Sequence, residues 1–397
     1  MGRMPSPLNT PGTVIVGMSG GVDSAVAALL LRDAGHDVQG LFMSNWEDDD
    51  DAYCTTAADF QDARRVCETL GIVLHRASFA AQYREQVFEH FLREYAAGRT
   101  PNPDVVCNRE IKFGVCLDYM HRLGASSIAT GHYARLQHTS AGPQLLKAAD
   151  TSKDQSYFLH GVAPSSLRNT LFPIGELRKT EVRKMAHAAG LPVYDKPDST
   201  GICFIGERPF EEFLSRYLRT AAGPIENDAG LILGEHRGLA LYTLGQRSGL
   251  RIGGRAGTAA APWYVADKNI ERNALIVVQD QNHPLLLSDS FDVEQMNWLC
   301  PGGAADQPME CAVKTRYRQN DLDCTVHLSA ARADAADSSW RVALSAPARA
   351  VTPGQYAVFY RGALCLGGGV ISRRFNSHMR PAARGITYNC SFSVEGS

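Results

Sequence analysis

Apolar residues fall into two rhythms along this chain. In the first half, short unbroken apolar runs alternate with stretches whose apolar positions recur every three or four residues. The runs Thr13–Met18, Asp37–Met43, Ile72–Arg76 and Ser127–Thr130 predict strands, and Ala25–Ala34, Ala57–Leu70 and Ile111–Leu123 predict helices. In the last of these, Ile111, Val115, Cys116, Tyr119, Met120 and Leu123 share one face and mark it for burial. Alternation of this kind predicts an α/β fold, a Rossmann-like, mostly parallel sheet with helices on both faces. Ligands then belong at the carboxyl ends of its strands.

From about Pro209 the rhythm changes. A short helix, Phe210–Leu218, leads into glycine-punctuated strands through Val278, among them Leu239–Thr243 and Trp263–Asp267, which predict a small β-rich module. Beyond Leu287 the alternating runs Cys311–Arg318, Cys324–Ser329, Arg341–Ser345, Tyr356–Tyr360 and Ala363–Ser372 predict an antiparallel β-barrel. Ala330–Ser339 reads as an exposed hairpin loop, and a basic tail carries Arg374, Arg380 and Arg384. The expected domains are 1–208, 209–288 and 289–397.

Composition narrows the class. With 397 residues the chain can bury two or three cores. No stretch reaches the ~18 apolar residues of a membrane span, and Met1–Pro11 lacks an apolar signal core, so no membrane association and a cytoplasmic location are expected. Ten cysteines occur without a C-x-x-C pair, which argues against a disulfide framework and a structural metal site and leaves reactive thiols. A net charge of −2 requires any nucleic-acid binding to come from local basic patches. Two are visible: Lys314, Arg316 and Arg318 on one face of an expected strand, and the cluster Arg178, Lys179, Arg183 and Lys184. The acidic run Glu47–Asp51 reads as a solvated loop.

The first candidate chemistry lies in Gly17-Met18-Ser19-Gly20-Gly21-Val22-Asp23-Ser24, between an expected strand and an expected helix. Adjacent glycines permit positive φ and close approach, while a helix start aims unpaired N–H groups at an anion. The hydroxyls of Ser19 and Ser24 add donors. No Gly-Lys-Ser or Gly-Lys-Thr follows, which disfavours ordinary γ-phosphate transfer. The loop resembles the SGGxDS loop of the ATP pyrophosphatases, which holds the β- and γ-phosphates as a leaving group while a substrate oxygen attacks the α-phosphate.

Two thiols supply the second candidate chemistry. Thr100–Phe113 (TPNPDVVCNREIKF) contains two prolines that enforce an extended approach to a helix expected to begin near Asn108. Cys107 would sit at its N-terminus beside Arg109 and Lys112, where a thiolate is favoured, and Asp104 could orient a substrate group or accept a proton. Cys67 and Cys116 fit buried packing instead. Cys203 lies in the glycine-flanked loop Lys196–Gly206, a segment suited to carrying sulfur between a donor and a site.

Taken together, GMSGGVDS, NPDVVCNREIKF, ATGHYAR (Ala129–Arg135), KDQSYFL (Lys153–Leu159), FPIGELRKTEVR (Phe172–Arg183) and DSTGICFIG (Asp198–Gly206) are similar to the bacterial tRNA-specific 2-thiouridylases, from about Val14 to Ile371. The resemblance implies an N-type ATP pyrophosphatase domain, Mg²⁺ with ATP as substrate, and persulfide sulfur replacing the C2 oxygen of a wobble uridine. By that resemblance ATP contacts Gly17, Met18, Ser19, Gly20, Gly21, Val22, Asp23, Ser24, Met43 and Gly131, and Cys107 and Cys203 are the nucleophile and the persulfide carrier. Asn102, Pro103 and Asp104 meet the base, and His132, Lys153, Asp154, Gln155, Arg316, Tyr317 and Gln355 meet tRNA. The implied partners are tRNA and a persulfide relay donor protein, with the chain expected as a monomer. Two other readings remain open on residues alone: an ATP pyrophosphatase that amidates its substrate and needs no thiol pair, and a non-enzymatic tRNA-binding protein whose Cys107, Cys203 and Asp104 ligate an iron–sulfur cluster.

Overall fold

The computed structural model describes residues 12–46, 56–198, 210–218, 220–252, 261–300, 307–329 and 339–377. Cys203, the acidic run Glu47–Asp51, most of the Ala330–Ser339 loop, and Arg380 and Arg384 lie outside the described residues.

The first region contributes β1 (Thr13–Gly17), β2 (Asp37–Ser44), β3 (Val73–Ser78), β4 (Ser127–Ala129), β5 (Ala134–Thr139), β6 (Gly142–Lys147) and β7 (Thr170–Leu171). Five of them form a parallel sheet in the order β3-β2-β1-β4-β7. Strand order reverses at β1, where the chain first winds toward β3 and then crosses to β4. A crevice opens at the carboxyl end of such a switch point.

Alternation along β1 builds two cores. Val14 and Val16 face one layer with α1 (Val22–Asp33), α2 (Thr56–Leu70) and the helix Lys179–Ala188, whereas Ile15 faces helical residues 80–96 and 103–122. α1 is rich in Ala, Val and Leu and is buried over most of its circumference because sheet and helix cover both its sides. α2 buries only Ala63, Val66, Cys67 and Leu70, one helical stripe, and ends at Gly71, whose φ of 68° lets the Gly71 and Ile72 amides turn back onto Glu68 and Cys67 carbonyls.

The central module holds β8 (Gly223–Asn227), β9 (Ile232–His236), β10 (Tyr264–Asn269) and β11 (Ala274–Val278) in the order β10-β11-β8-β9. The expected strand over Leu239–Thr243 is instead a 3₁₀ turn at Leu239–Leu241, entered through Gly238 at φ 138°. Its apolar run reads as a strand by composition, but Leu239, Tyr242 and Leu244 are buried as a turn under the small sheet.

The last region is a closed six-stranded antiparallel barrel of β12 (Leu287–Trp298), β13 (Met309–Lys314), β14 (Leu322–Leu328), β15 (Trp340–Arg349), β16 (Tyr356–Arg361) and β17 (Leu364–Phe375). The order runs β12-β15-β14-β13-β16-β17 and returns to β12. β12 opens the barrel two residues ahead of the expected boundary at 289. The hairpin β5–β6 of the first region extends the same sheet, with Leu146 paired to Leu364 and the Lys147 amide on the Ala363 carbonyl at 2.8 Å. Tyr356, Val358, Tyr360 and Cys365 of the barrel belong to the same apolar core as helices 80–96 and 103–122. Among the described residues no helix is long and apolar enough to cross a membrane.

All three regions meet on residues 98–101. The Lys268 ammonium of the central module donates to the Gly98 carbonyl at 3.0 Å, and Thr243 Oγ1 lies 3.4 Å from Thr100 Oγ1. From the barrel, the Thr100 amide reaches the Pro353 carbonyl at 3.2 Å, and Gln355 Nε2 donates to the Thr100 carbonyl at 2.8 Å. Burial lowers the pKa of Lys268 to about 8, opposed by neighbouring Asp267. Gly354 has φ 89°, and a Cβ there would lie 2.8 Å from the Thr100 amide nitrogen. Gly354→Ala is therefore expected to destabilise the barrel's docking by roughly 1–3 kcal/mol, read as a lowered urea midpoint together with faster amide exchange at residues 98–102.

Candidate nucleotide and thiol site

The glycine turn lies at the carboxyl end of β1. Gly20 takes φ 76°, and a side chain there would strike the Asp59 carbonyl oxygen at 2.3 Å, so only glycine fits. Gly21 opens α1 with no side-chain cap, leaving first-turn N–H groups for a ligand. Ser24 Oγ donates to the Gly21 carbonyl at 3.1 Å and accepts the Ser19 amide at 3.2 Å, which fixes the curl of the turn. A Cβ on Gly131, just after β4, would sit 2.6 Å from the Ser24 amide nitrogen. A Cβ added at Gly17 would meet Met43 and Thr130 side chains at 3.8 Å, ordinary contact, so these two residues flank the end of β1. Glycine turn, Met43 and Gly131 thus converge on one crevice, and its donors and close backbone approaches suit a polyphosphate.

A chain of ion pairs secures this turn. Asp23 accepts the Lys179 ammonium at 2.8 Å on both oxygens and the Tyr133 hydroxyl at 2.8 Å. Lys179 also reaches Asp198 at 2.7 Å, and Asp198 is held further by Lys153 at 2.7 Å and Arg183 at 3.2 Å. Lys196 donates to the Gly20 carbonyl at 3.1 Å and to Asp59 and Asp62 at 2.7 and 2.6 Å. Asp150 Oδ2 accepts the Lys179 amide at 3.0 Å, capping that helix. Sequence reasoning placed Lys179 in a surface basic cluster and assigned Lys196 and Asp198 no role. One signal was present: a cation in the first turn of a helix opposes the helix dipole, and a carboxylate partner removes that conflict.

The second motif is helical from its start. Asn102 caps it by accepting the Asp104 amide at 3.1 Å, and Pro103 occupies the first position. The helix therefore begins at Pro103, not near Asn108, and Cys107 lies in its second turn with its amide already bonded to the Pro103 and Asp104 carbonyls. The expected helix-terminus support for a thiolate belongs to Asp104's turn instead, and Cys107 is 3% exposed among Val105, Val106 and Ile111. Wide π-type turns over Cys107–Val115 and a non-helical Gly114 (φ −108°, ψ −109°) distort this segment, a feature frequent at functional sites.

Asp104 is exposed on the first turn of this helix. Burial raises its carboxyl pKa, with only Lys112 opposing. His132 is 9% exposed, and burial together with Lys112 holds it well below its ordinary pKa, so the ring is neutral. Thr130 Oγ1 lies 2.7 Å from His132 Nδ1, and the ring packs on Phe113 and Phe172 at centroid distances of 6.0 and 5.9 Å. Gly131 and His132 thereby link the glycine turn to the helix that carries Asp104 and Cys107.

Several expected tRNA contacts hold the fold together. Asp154 is 6% exposed and its carboxylate accepts the Ala148 and Ser156 amides and the Ser156 hydroxyl, so it faces inward. Gln155 exchanges bonds with Tyr133, and Gln355 grips residues 100–101. Arg316 donates to the Leu244 and Ala350 carbonyls at 2.9 and 2.6 Å, and Tyr317 packs on Phe158 at 4.4 Å. The basic stripe Lys314–Arg318 does not form: β13 stops at Lys314, residues 315–318 turn, and Arg318 adopts φ 64°. Lys314 points inward toward Asp154 and Asp321. Lys153 is half-buried and paired with Asp198. Among the described residues no three His, Cys, Asp or Glu side chains are grouped to hold a metal.

A parallel sheet whose glycine turn opens a helix at the strand-order reversal, with two β-rich domains appended, defines a nucleotide-binding protein of the ATP pyrophosphatase class. A family model described as "tRNA methyl transferase HUP domain" matches residues 12–207, "tRNA methyl transferase PRC-barrel domain" matches 211–279, and "Aminomethyltransferase beta-barrel domain" matches 288–371. The tRNA-specific 2-thiouridylase MnmA of Verminephrobacter eiseniae is 56% identical over 369 residues, covering 90% of this chain and 98% of that protein. The protein of that name from Methylococcus capsulatus is 53% identical over 372 residues, covering 93% and 99%. The chain belongs to the tRNA-specific 2-thiouridylase MnmA family.

The ion-pair chain yields a titration. Burial acts to raise the Asp198 pKa, but hydrogen bonds and charge from Lys153 and Lys179 bring it down to about 2. A depressed carboxyl stabilises the fold above its unfolded value near ~3.9 and loses that contribution as pH falls through about 2. Lys179→Met is expected to move the Asp198 midpoint upward, part of the way to the unfolded value because Lys153 and Arg183 remain, as followed by carboxyl ¹³C NMR; an unmoved midpoint would refute the pairing.

Proposed function

We propose that this protein thiolates C2 of the wobble uridine in tRNA, consuming ATP and releasing AMP and pyrophosphate. The observation that carries the proposal is the convergence of the open glycine turn, residues 130–132 and the helix bearing Asp104 and Cys107 on one end of the parallel sheet. Family membership over nearly the whole chain supports the same reading. The family models are described by methyl transfer, but the relatives that span the chain are named for thiolation, and the thiol of Cys107 is available for sulfur chemistry.

The C2 oxygen of uracil is a poor leaving group because its carbonyl is amide-like. Its attack on the α-phosphorus of ATP breaks the bond to pyrophosphate, and the N3 proton departs. The first-turn N–H groups of α1 and the Ser19 hydroxyl hold the leaving pyrophosphate, and Ser24 fixes the curl of the turn that presents them. Asp23 is the carboxylate within the turn that would take Mg²⁺, whose bound charge would offset that of the phosphates, and Lys179 neutralises it in this structure. Asp104, with its raised pKa, orients the base or moves the N3 proton.

Sulfur arrives on Cys203 as a persulfide from a relay donor protein. In one route its terminal sulfur attacks C2, AMP leaves with the former C2 oxygen, and Cys107 attacks the Cys203 sulfur to free 2-thiouridine. In the other, Cys107 attacks the Cys203 persulfide first and the released hydrosulfide attacks C2. Both routes end in a Cys107–Cys203 disulfide that an external thiol must reduce. Phosphate contacts then fall to the exposed Arg178 and Lys184 and to Lys153.

Incubation with tRNA, Mg-ATP and a persulfide source, followed by digestion, is expected to yield 2-thiouridine. Cys107→Ser and Cys203→Ser should each lower the yield by ~10³-fold or more, and Asp104→Asn by ~10²-fold or more. Thiolated product from Cys203→Ser would overturn the sulfur-carrier role. Intact turnover in both cysteine variants would favour an amidating ligase, and a cluster spectrum without ATP-dependent pyrophosphate release would favour a protein that only holds tRNA.

A further inference from the structure

Two thiols that the proposed chemistry does not use face each other in the barrel. Cys311 on β13 and Cys324 on β14 are direct partners in the antiparallel register. Their sulfurs lie 3.7 Å apart. A disulfide needs ~2.0 Å between sulfurs and Cβ atoms ~3.5–4.5 Å apart, and directly opposed strand residues hold theirs at ~4.5–5.5 Å, so closure draws the two strands together locally. The two sites differ. Cys324 is 4% exposed, while Cys311 is half-buried and within electrostatic reach of the Arg361 guanidinium. The hydrogen bond from Cys324 and the charge of Arg361 lower the Cys311 pKa, and the same bond together with burial raises that of Cys324. One thiol is thus set to attack and the other to resolve.

We propose that Cys311 and Cys324 form a reversible oxidation site, closed as a cross-strand disulfide by low-molecular-weight disulfides. Cys311 thiolate attacks one sulfur of the small disulfide and expels the first small thiolate, leaving a mixed disulfide. Cys324 then attacks the Cys311 sulfur and expels the second. The protein thiols lose two electrons and two protons, and the small disulfide becomes two thiols. The cross-link would close the turn that carries Arg316 and Tyr317, the residues by which the barrel meets Leu244 and Phe158.

The test uses the full chain in a Cys203→Ser background, which removes the disulfide proposed for the catalytic pair. After equilibration with glutathione and glutathione disulfide over a range of ratios, acid quench and alkylation, peptide mapping is expected to find a Cys311–Cys324 link with loss of both alkylation sites, and a thiol reductant should restore them. Cys324→Ser should stall as a glutathione adduct on Cys311, and Cys311→Ser should slow modification of Cys324 by ~10-fold or more. The proposal is overturned if both thiols stay separately alkylatable at every ratio, or if Cys324 reacts equally fast without Cys311. Neither readout depends on thiolation activity, so this site and the proposed function stand or fall separately.

Discussion

Residues 98–101 are the constraint on which the rest of the site depends. Lys268 and Thr243 hold them from the central module, and Pro353 and Gln355 hold them from the barrel. Within a few residues the chain has passed Asn102 and Pro103 and entered the helix of Asp104 and Cys107. The position of the thiol relative to the sheet end is therefore set by domains that are distant in sequence. A single helix cap would not suffice. Removing one partner leaves a buried carbonyl without its donor, which costs more than the net worth of the bond.

The charge chain around Asp23 has a different character. It is built from side chains, it is partly open to water, and Asp23, Lys179 and Asp198 each have more than one partner. Lys179 is shared between a carboxylate of the glycine turn and one at Asp198, the last described residue before the segment containing Cys203. Anionic phosphates entering the turn would compete for the same ammonium group.

The parallel sheet was legible because both faces of β1 are buried, so its strands appear as continuous apolar runs, and because the glycine turn needs particular backbone angles at Gly20. α2 was legible from its stripe. The start of the 103–122 helix was misread because two prolines ordinarily signal extended chain, whereas here the second sits at the first helical position, where its missing N–H does no harm. The run at Leu239–Thr243 and the stripe at Lys314–Arg318 failed for a related reason. Alternation describes which residues are buried but not what buries them: at Leu239–Thr243 the small sheet of the same module covers a turn, and at Arg316 the central module receives the side chain. The grip of Gln355 and Arg316 across domains leaves no local signature in either partner, so residues that read as RNA contacts are found bracing the fold.

The β5–β6 hairpin carries a consequence for how the molecule is made. It leaves the ribosome early, yet its outer neighbour is β17, and the Lys147 amide finds its acceptor only at Ala363. Until most of the polypeptide has been synthesised, the nascent amino-terminal domain displays an unpaired ladder edge of the kind that invites association with other chains. Late closure of the barrel extinguishes that hazard, so the task of covering this edge falls to the carboxyl-terminal third.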